Sequence, residues 1–107
     1  MTFQVFAKEG CVLCQKARDV LEHVGVTAEV RYVDGPHATV ENLADFAWYD
    51  WTDKPPLVVA VESGRLLQRW DGRDIEAAWT PRLREWLAGQ GWTGTAAGTQ
   101  AGPAPVQ

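Results

Sequence analysis

The sequence predicts an α/β domain with a four-stranded mixed sheet, its elements following the order β-α-β-α-β-β-α. Three observations carry this expectation. Short runs rich in aromatic or β-branched residues stand at 3–7, 28–34 and 57–61. Segments with apolar residues at three- and four-residue spacing lie between and after them. A turn at Glu62-Ser63-Gly64-Arg65 joins the third run to a fourth over 65–70.

The first run, FQVFA, reads as a strand. From about 12 to 24, Cys14, Ala17, Leu21 and Val24 recur on one stripe with Val20 beside them, which predicts an amphipathic helix ending at Gly25. AEVRYVD (28–34) alternates Val30, Tyr32 and Asp34 against Glu29, Arg31 and Val33, a second strand. After a turn at GPHA, residues 39–51 place Val40, Leu43, Ala44, Ala47 and Trp51 on one stripe, predicting a second helix.

LVVAV (57–61), after the break TDKPP, is short and β-branched, which suits a fully buried strand. Beyond DGRD, Ile75, Ala78 and Trp79 and then Leu83, Trp86 and Leu87 carry helical spacing. Thr80-Pro81 resembles an N-cap followed by proline at the first helical position, so a short helix and a second one are expected, the latter stopped by Gly89. The first two strands, joined by a helix, should be parallel. The last two should form an antiparallel hairpin.

These elements place one domain over residues 1–88. From 89 to 107 the chain is uncharged and rich in Gly, Ala, Thr and Pro, the composition expected of a disordered tail. The chain is 46% hydrophobic with six tryptophans, enough for a real core. Its net charge of -4 argues against nucleic acid as a partner. No run approaches a membrane span, and Met1–Gly10 lacks a charged segment followed by an apolar one. A cytoplasmic monomer without a membrane partner is expected.

In a reducing compartment, two cysteines three positions apart point to catalysis or metal binding rather than to a structural bridge. Cys11 falls where the first strand has ended and the first helix begins. Unpaired N–H groups and the positive end of the helix dipole favour a thiolate there. Lys8, three residues upstream, is a candidate cationic neighbour, and both effects push a thiol toward the reactive range. Cys14 lies one turn later on the buried stripe. That asymmetry suits a nucleophile, Cys11, and a resolving thiol, Cys14, and makes the pair the candidate catalytic residues.

The strand order, KEGCVLCQKA and the proline before LVVAV together resemble a glutaredoxin, a member of the thioredoxin superfamily, over about residues 3–88. The GCVLC variant is most similar to a branch of small glutaredoxin-like proteins with GCxLC. The resemblance implies a thioredoxin-like fold and a thiol–disulfide oxidoreductase acting on protein or small-molecule disulfides. It makes Cys11 the nucleophile and Cys14 the resolving thiol, and it sets Pro56 as a cis-proline beside the dithiol.

It also implies a substrate-binding set of Lys8, Pro55, Pro56, Gly72, Arg73 and Asp74, the last three in DGRDI where the family holds the γ-glutamyl end of glutathione. The implied partners are a disulfide-containing protein or a glutathione mixed disulfide. No cofactor is expected to be bound permanently. Glutathione or a thioredoxin-reductase-type enzyme is the candidate reductant.

Three departures bear on specificity. The Pro-Tyr pair between the cysteines is absent, and Asp71 stands where the family has glycine, placing a negative charge before an anionic ligand. Pro55 has no N–H, so it can offer a bound peptide or glutathione only its carbonyl. One strand-like hydrogen bond, worth about 0.5–1.5 kcal/mol net, is thereby lost.

The alternative is a non-catalytic carrier or partner-binding module that uses the dithiol for a metal or an iron–sulfur cluster. His23 and His37 would complete four ligands with the cysteines, but their spacing is poor for zinc, and both are expected at the surface or as caps. Around Trp51, DFAWYDW is expected to pack in the core, with a partner-docking rim as the sharper reading. Trp70, Trp79 and Trp86 are expected in the core. Arg65, Arg69, Arg73, Arg82 and Arg84 are expected on a solvated face, with Arg73 a candidate for a substrate carboxylate.

Overall fold

The computed structural model describes residues 1–49 and 54–92. Strand β1 (Thr2–Ala7) leads into helix α1 (Val12–His23), then β2 (Ala28–Tyr32), α2 (Val40–Tyr49), β3 (Leu57–Glu62), β4 (Arg65–Trp70), α3 (Gly72–Glu76) and α4 (Trp79–Gly89). The sheet order is β2-β1-β3-β4. β1 and β2 run parallel, and β3 is antiparallel to both β1 and β4. This is the expected thioredoxin-like α/β arrangement.

Two-residue periodicity decides which helices cover which face. Phe3, Val5 and Ala7 of β1 and Val58 and Ala60 of β3 meet Cys14, Ala17 and Leu21 of α1, Ile75 of α3, and Trp79, Leu83 and Leu87 of α4. Phe6, Leu57, Val59 and Val61 point the other way and meet Phe46 of α2. β3 is therefore apolar at every position from 57 to 61 because both of its faces are covered.

On the larger face, Trp70 stacks on Phe3 with centroids 6.3 Å apart and meets Trp79 and Trp86 at 5.8 and 5.3 Å. Trp70 and Trp79 are buried as expected, and Trp86 is half-buried against them.

Helix α2 departs from expectation. Val40, Leu43, Ala44 and Ala47 face solvent, and Trp48 is 79% exposed. The side turned to the sheet is Asn42, Asp45, Phe46 and Tyr49. The cause is Arg31 on β2. Its guanidinium lies 5.1 Å from the Phe6 ring centroid and binds Asn42 Oδ1 at 2.8 Å, Gln4 Oε1 at 2.8 Å and Asp45 Oδ2 at 2.7 Å. Asn42 also donates to the Tyr32 carbonyl at 2.9 Å. The inward side thus joins Phe46 and Tyr49, which pack on Phe6, to Asn42 and Asp45, which satisfy the half-buried guanidinium. Trp51, expected on that stripe, lies outside the described residues.

The start of α4 also differs. The helix begins at Trp79 after Ala78, which adopts a left-handed conformation (φ 55°) with no side-chain cap. Thr80 is therefore not the cap. Pro81 sits in the first turn, where a missing N–H costs nothing. At the other end α4 closes at Gly89, and the Trp92 N–H returns to the Leu87 carbonyl at 2.9 Å. Trp92 packs against the larger core, so ordered structure runs four residues past the boundary drawn at 88. The rest of the expected tail, 93–107, lies outside the described residues. Strand β2 ends at Tyr32, two residues sooner than expected.

The β3–β4 hairpin turns through Ser63 (φ 52°) and Gly64 (φ 77°), both left-handed, as a two-residue turn requires. The pairing shifts between Ala60 and Val61, which face Gln68 and Leu66, so β4 carries one extra residue there. No helix among the described residues is long and apolar enough to cross a membrane.

Candidate functional site

After β1 ends at Ala7, the chain must reverse into α1 within four residues. Gly10 makes this bend with φ 66°, a conformation that carries a side chain only with strain. Cys11 follows in extended geometry as the N-cap of α1, and its Sγ accepts the Cys14 N–H at 3.1 Å. Cysteine here takes the place of the usual Ser or Asp cap. The sulfur receives one of the N–H groups that the first helical turn leaves without a partner.

Cys11 and Cys14 are joined as a disulfide, with Cα atoms 5.2 Å apart. Cys11 is half-buried, whereas Cys14 is only 3% exposed and belongs to the core. The expected asymmetry of exposure is present.

Both cysteines open onto a groove of about 280 Å³ together with Lys8, Gly10, Val12, Gln15, Arg18 and Tyr32. Lys8 is thus brought to the dithiol as expected. A second groove of about 470 Å³ is bordered by Leu13, Lys54, Pro55, Asp71, Gly72, Arg73 and Glu76. Leu13, which borders it, stands between the cysteines in sequence. Pro55, Gly72 and Arg73 meet in this second groove.

The Pro55–Pro56 peptide bond is cis, as the resemblance implied. Pro56 is fully buried, and an added Cβ on Gly72 would stand 3.6 Å from its Cδ and 3.2 Å from Leu13 Cδ2. The close approach of α3 to α1 is what glycine permits at position 72.

Asp74 does not border either groove. Its carboxylate accepts the Asp71 N–H at 3.0 Å and binds Arg82 at 3.0 Å. Asp71 answers it: one carboxylate oxygen accepts the Arg73 and Asp74 N–H groups at 3.0 and 3.1 Å, closing a reciprocal cap on α3. Burial would raise the Asp71 pKa, but the N–H donors of Asp74 and Arg73 and the Arg73 charge outweigh it and hold the carboxyl below 3.8.

The sequence offered Asp71 as a misplaced charge. The structure makes it the N-cap, a role that Asp three residues before another Asp does signal. Arg18, Gln15 and Tyr32, which border the cysteine groove, were not among the site residues expected from the sequence. The signal was the helical offset from Cys11, since 14, 15 and 18 lie three, four and seven residues on.

His23 and His37 are both exposed, and His37 Nδ1 meets Glu9 Oε2 at 3.2 Å. Among the described residues, no three of His, Cys, Asp and Glu stand close enough to hold a metal ion.

A family model described as Glutaredoxin matches residues 3–62, more than half of the chain. The match includes Lys8, both cysteines and both prolines, and it ends before Gly72 and Arg73. No curated protein matches the chain. Among solved structures the chain is similar to thioredoxin 1 from the thermophilic eubacterium Thermosipho africanus TCF52B. That likeness has 16% identity and a TM-score of 0.48, covering 83% of this chain and 99% of the other.

Proposed function

The chain belongs to the glutaredoxin family, and from that premise we propose that it is a thiol–disulfide oxidoreductase that reduces protein or small-molecule disulfides through Cys11 and Cys14. The observation that carries this reading is the bonded pair at the N-terminus of α1, with one sulfur accessible and the other buried.

In the reduced protein the Cys11 thiolate attacks one sulfur of a substrate disulfide. A Cys11–substrate disulfide forms and the other substrate sulfur leaves as a thiolate. Cys14, deprotonated, then attacks Cys11 Sγ, which forms the Cys11–Cys14 disulfide and expels the second substrate thiolate. Two electrons pass from the protein to the substrate, and solvent protonates the products. The Cys14 N–H is aimed at Cys11 Sγ and stabilises the negative charge there before attack. Glutathione or a reductase returns the two electrons by the same exchange in reverse.

Pro55 and Gly72 border the groove next to the dithiol, where an extended substrate segment can lie along the chain before β3. Lys8 lies beside the cysteines as a cationic contact. The cytoplasm, where thiols are kept reduced, is the compartment that suits this chemistry.

The test is turnover of a glutathione mixed disulfide and of an insulin-type protein disulfide by the reduced protein. Either activity, lost in Cys11→Ser, supports the reading. Activity on neither, or activity that survives Cys11→Ser, removes it.

A further inference from the structure

The two grooves beside the dithiol differ in charge. The one at Pro55 mixes Lys54 and Arg73 with Asp71 and Glu76. The one bordered by both cysteines also has Lys8 and Arg18 on its border and no carboxylate. This is against the trend of the molecule, whose net charge is -4.

Of the acids nearby, Glu9 meets His37 and Asp34 accepts the Glu9 N–H at 2.9 Å, while Asp19 accepts from Gln15 at 2.9 Å and, with Glu22, borders another groove that Arg18 also lines. Neither Lys8 nor Arg18 forms an ion pair among the described residues, and both are exposed. Arg18 stands on the same face of α1 as Cys14, one turn further on. Val12, 85% exposed, and the Tyr32 ring add apolar surface to the same groove.

We propose that this groove is a docking subsite for an acidic segment of the disulfide-bearing partner, a polypeptide with Asp or Glu beside its reactive cysteine. Arg18 is the specificity-determining residue. Its planar fork donates two parallel hydrogen bonds to a carboxylate, and Lys8 adds a second cation beside Cys11. Val12 and Tyr32 receive the apolar parts of the segment. The proposal rests on the thiol–disulfide reading, because it names the substrate class of the same site.

The experiment uses three peptides of equal length, each with one cysteine in a mixed disulfide with a small neutral thiol, flanked by Glu, Gln or Lys. With the reduced full-length protein, kcat/KM should fall in the order Glu, Gln, Lys, by roughly three- to tenfold from first to last at low salt. The spread should shrink as ionic strength rises toward 1 M, where screening acts within about 3 Å. Arg18→Glu should reverse the order. In parallel, serine versions of the peptides, which cannot exchange, are titrated against the oxidised protein to measure binding alone. The Glu peptide should bind tightest, and should lose that advantage in Arg18→Glu.

Turnover without any charge order overturns the docking proposal and leaves the thiol–disulfide reading standing. Arg18-dependent binding of the Glu serine peptide, with no turnover of any disulfide, overturns the thiol–disulfide reading and leaves the docking surface. Absence of both overturns both.

Discussion

Cys11 Sγ accepts the backbone N–H of Cys14 at 3.1 Å, so the exposed sulfur caps the helix that carries the buried one. The donor belongs to the backbone, so replacing the Cys14 side chain by serine leaves it in place. Cys14→Ser should therefore keep Cys11 competent to form a mixed disulfide while abolishing its release. Mass spectrometry of this variant after exposure to a substrate disulfide should find the adduct trapped on Cys11. In the reduced wild type, alkylation should modify Cys11 well before Cys14, because Cys14 is closed off by the core.

Asp71 links α3 to pH. Its folded pKa is depressed below 3.8, so its stabilisation is fully present above the unfolded value and is lost as pH falls through the folded one. Asp71→Ala should cost about 0.5–2 kcal/mol at neutral pH through the lost cap. Its acid-unfolding profile below pH 4 should also be flatter than that of the wild type. Urea denaturation at pH 7 and pH 3 measures both.

Arg31 holds α2 to the sheet through Gln4, Asn42 and Asp45. Arg31→Ala leaves half-buried acceptors without their donor, and a loss of about 1–3 kcal/mol follows. Amide exchange should increase first in α2, whose apolar contact with the sheet is centred on Phe46.

Trp92 packs against the larger core from beyond the end of α4. A chain cut after residue 92 should unfold at the same urea concentration as the full chain. One cut after residue 88 should lose about 1–3 kcal/mol, the scale of a large side chain removed from partial burial.

The elements that sequence reading located well are those whose pattern has one physical cause. β3 is apolar throughout because both faces are covered, and α1 shows a clean stripe because one face meets the core. α2 misled because its apolar stripe is real but faces water. Periodicity marks an apolar side without saying whether a polar partner such as Arg31 claims the opposite one.

Cys11, Cys14 and Lys8, singled out from spacing, border one groove, and Pro55 and Gly72, implied by the resemblance, border the other. Tyr32 could not be placed beside the cysteines from its own strand pattern, because the parallel pairing of β1 and β2 is what brings the end of β2 beside the start of α1, whereas the position of Arg18 followed from its helical offset from Cys11. Asp74 was assigned to the substrate, but its two oxygens are taken by the Asp71 N–H and by Arg82.

β4 is an outer strand of the sheet, and its extra residue opposite Ala60–Val61 breaks the regular row of hydrogen-bonding groups it would present to another chain. Arg65 and Arg69 add charge along the same strand. The opposite edge, β2, carries Glu29 and Arg31. The β4 border therefore offers no flat, regular template to a strand of another chain.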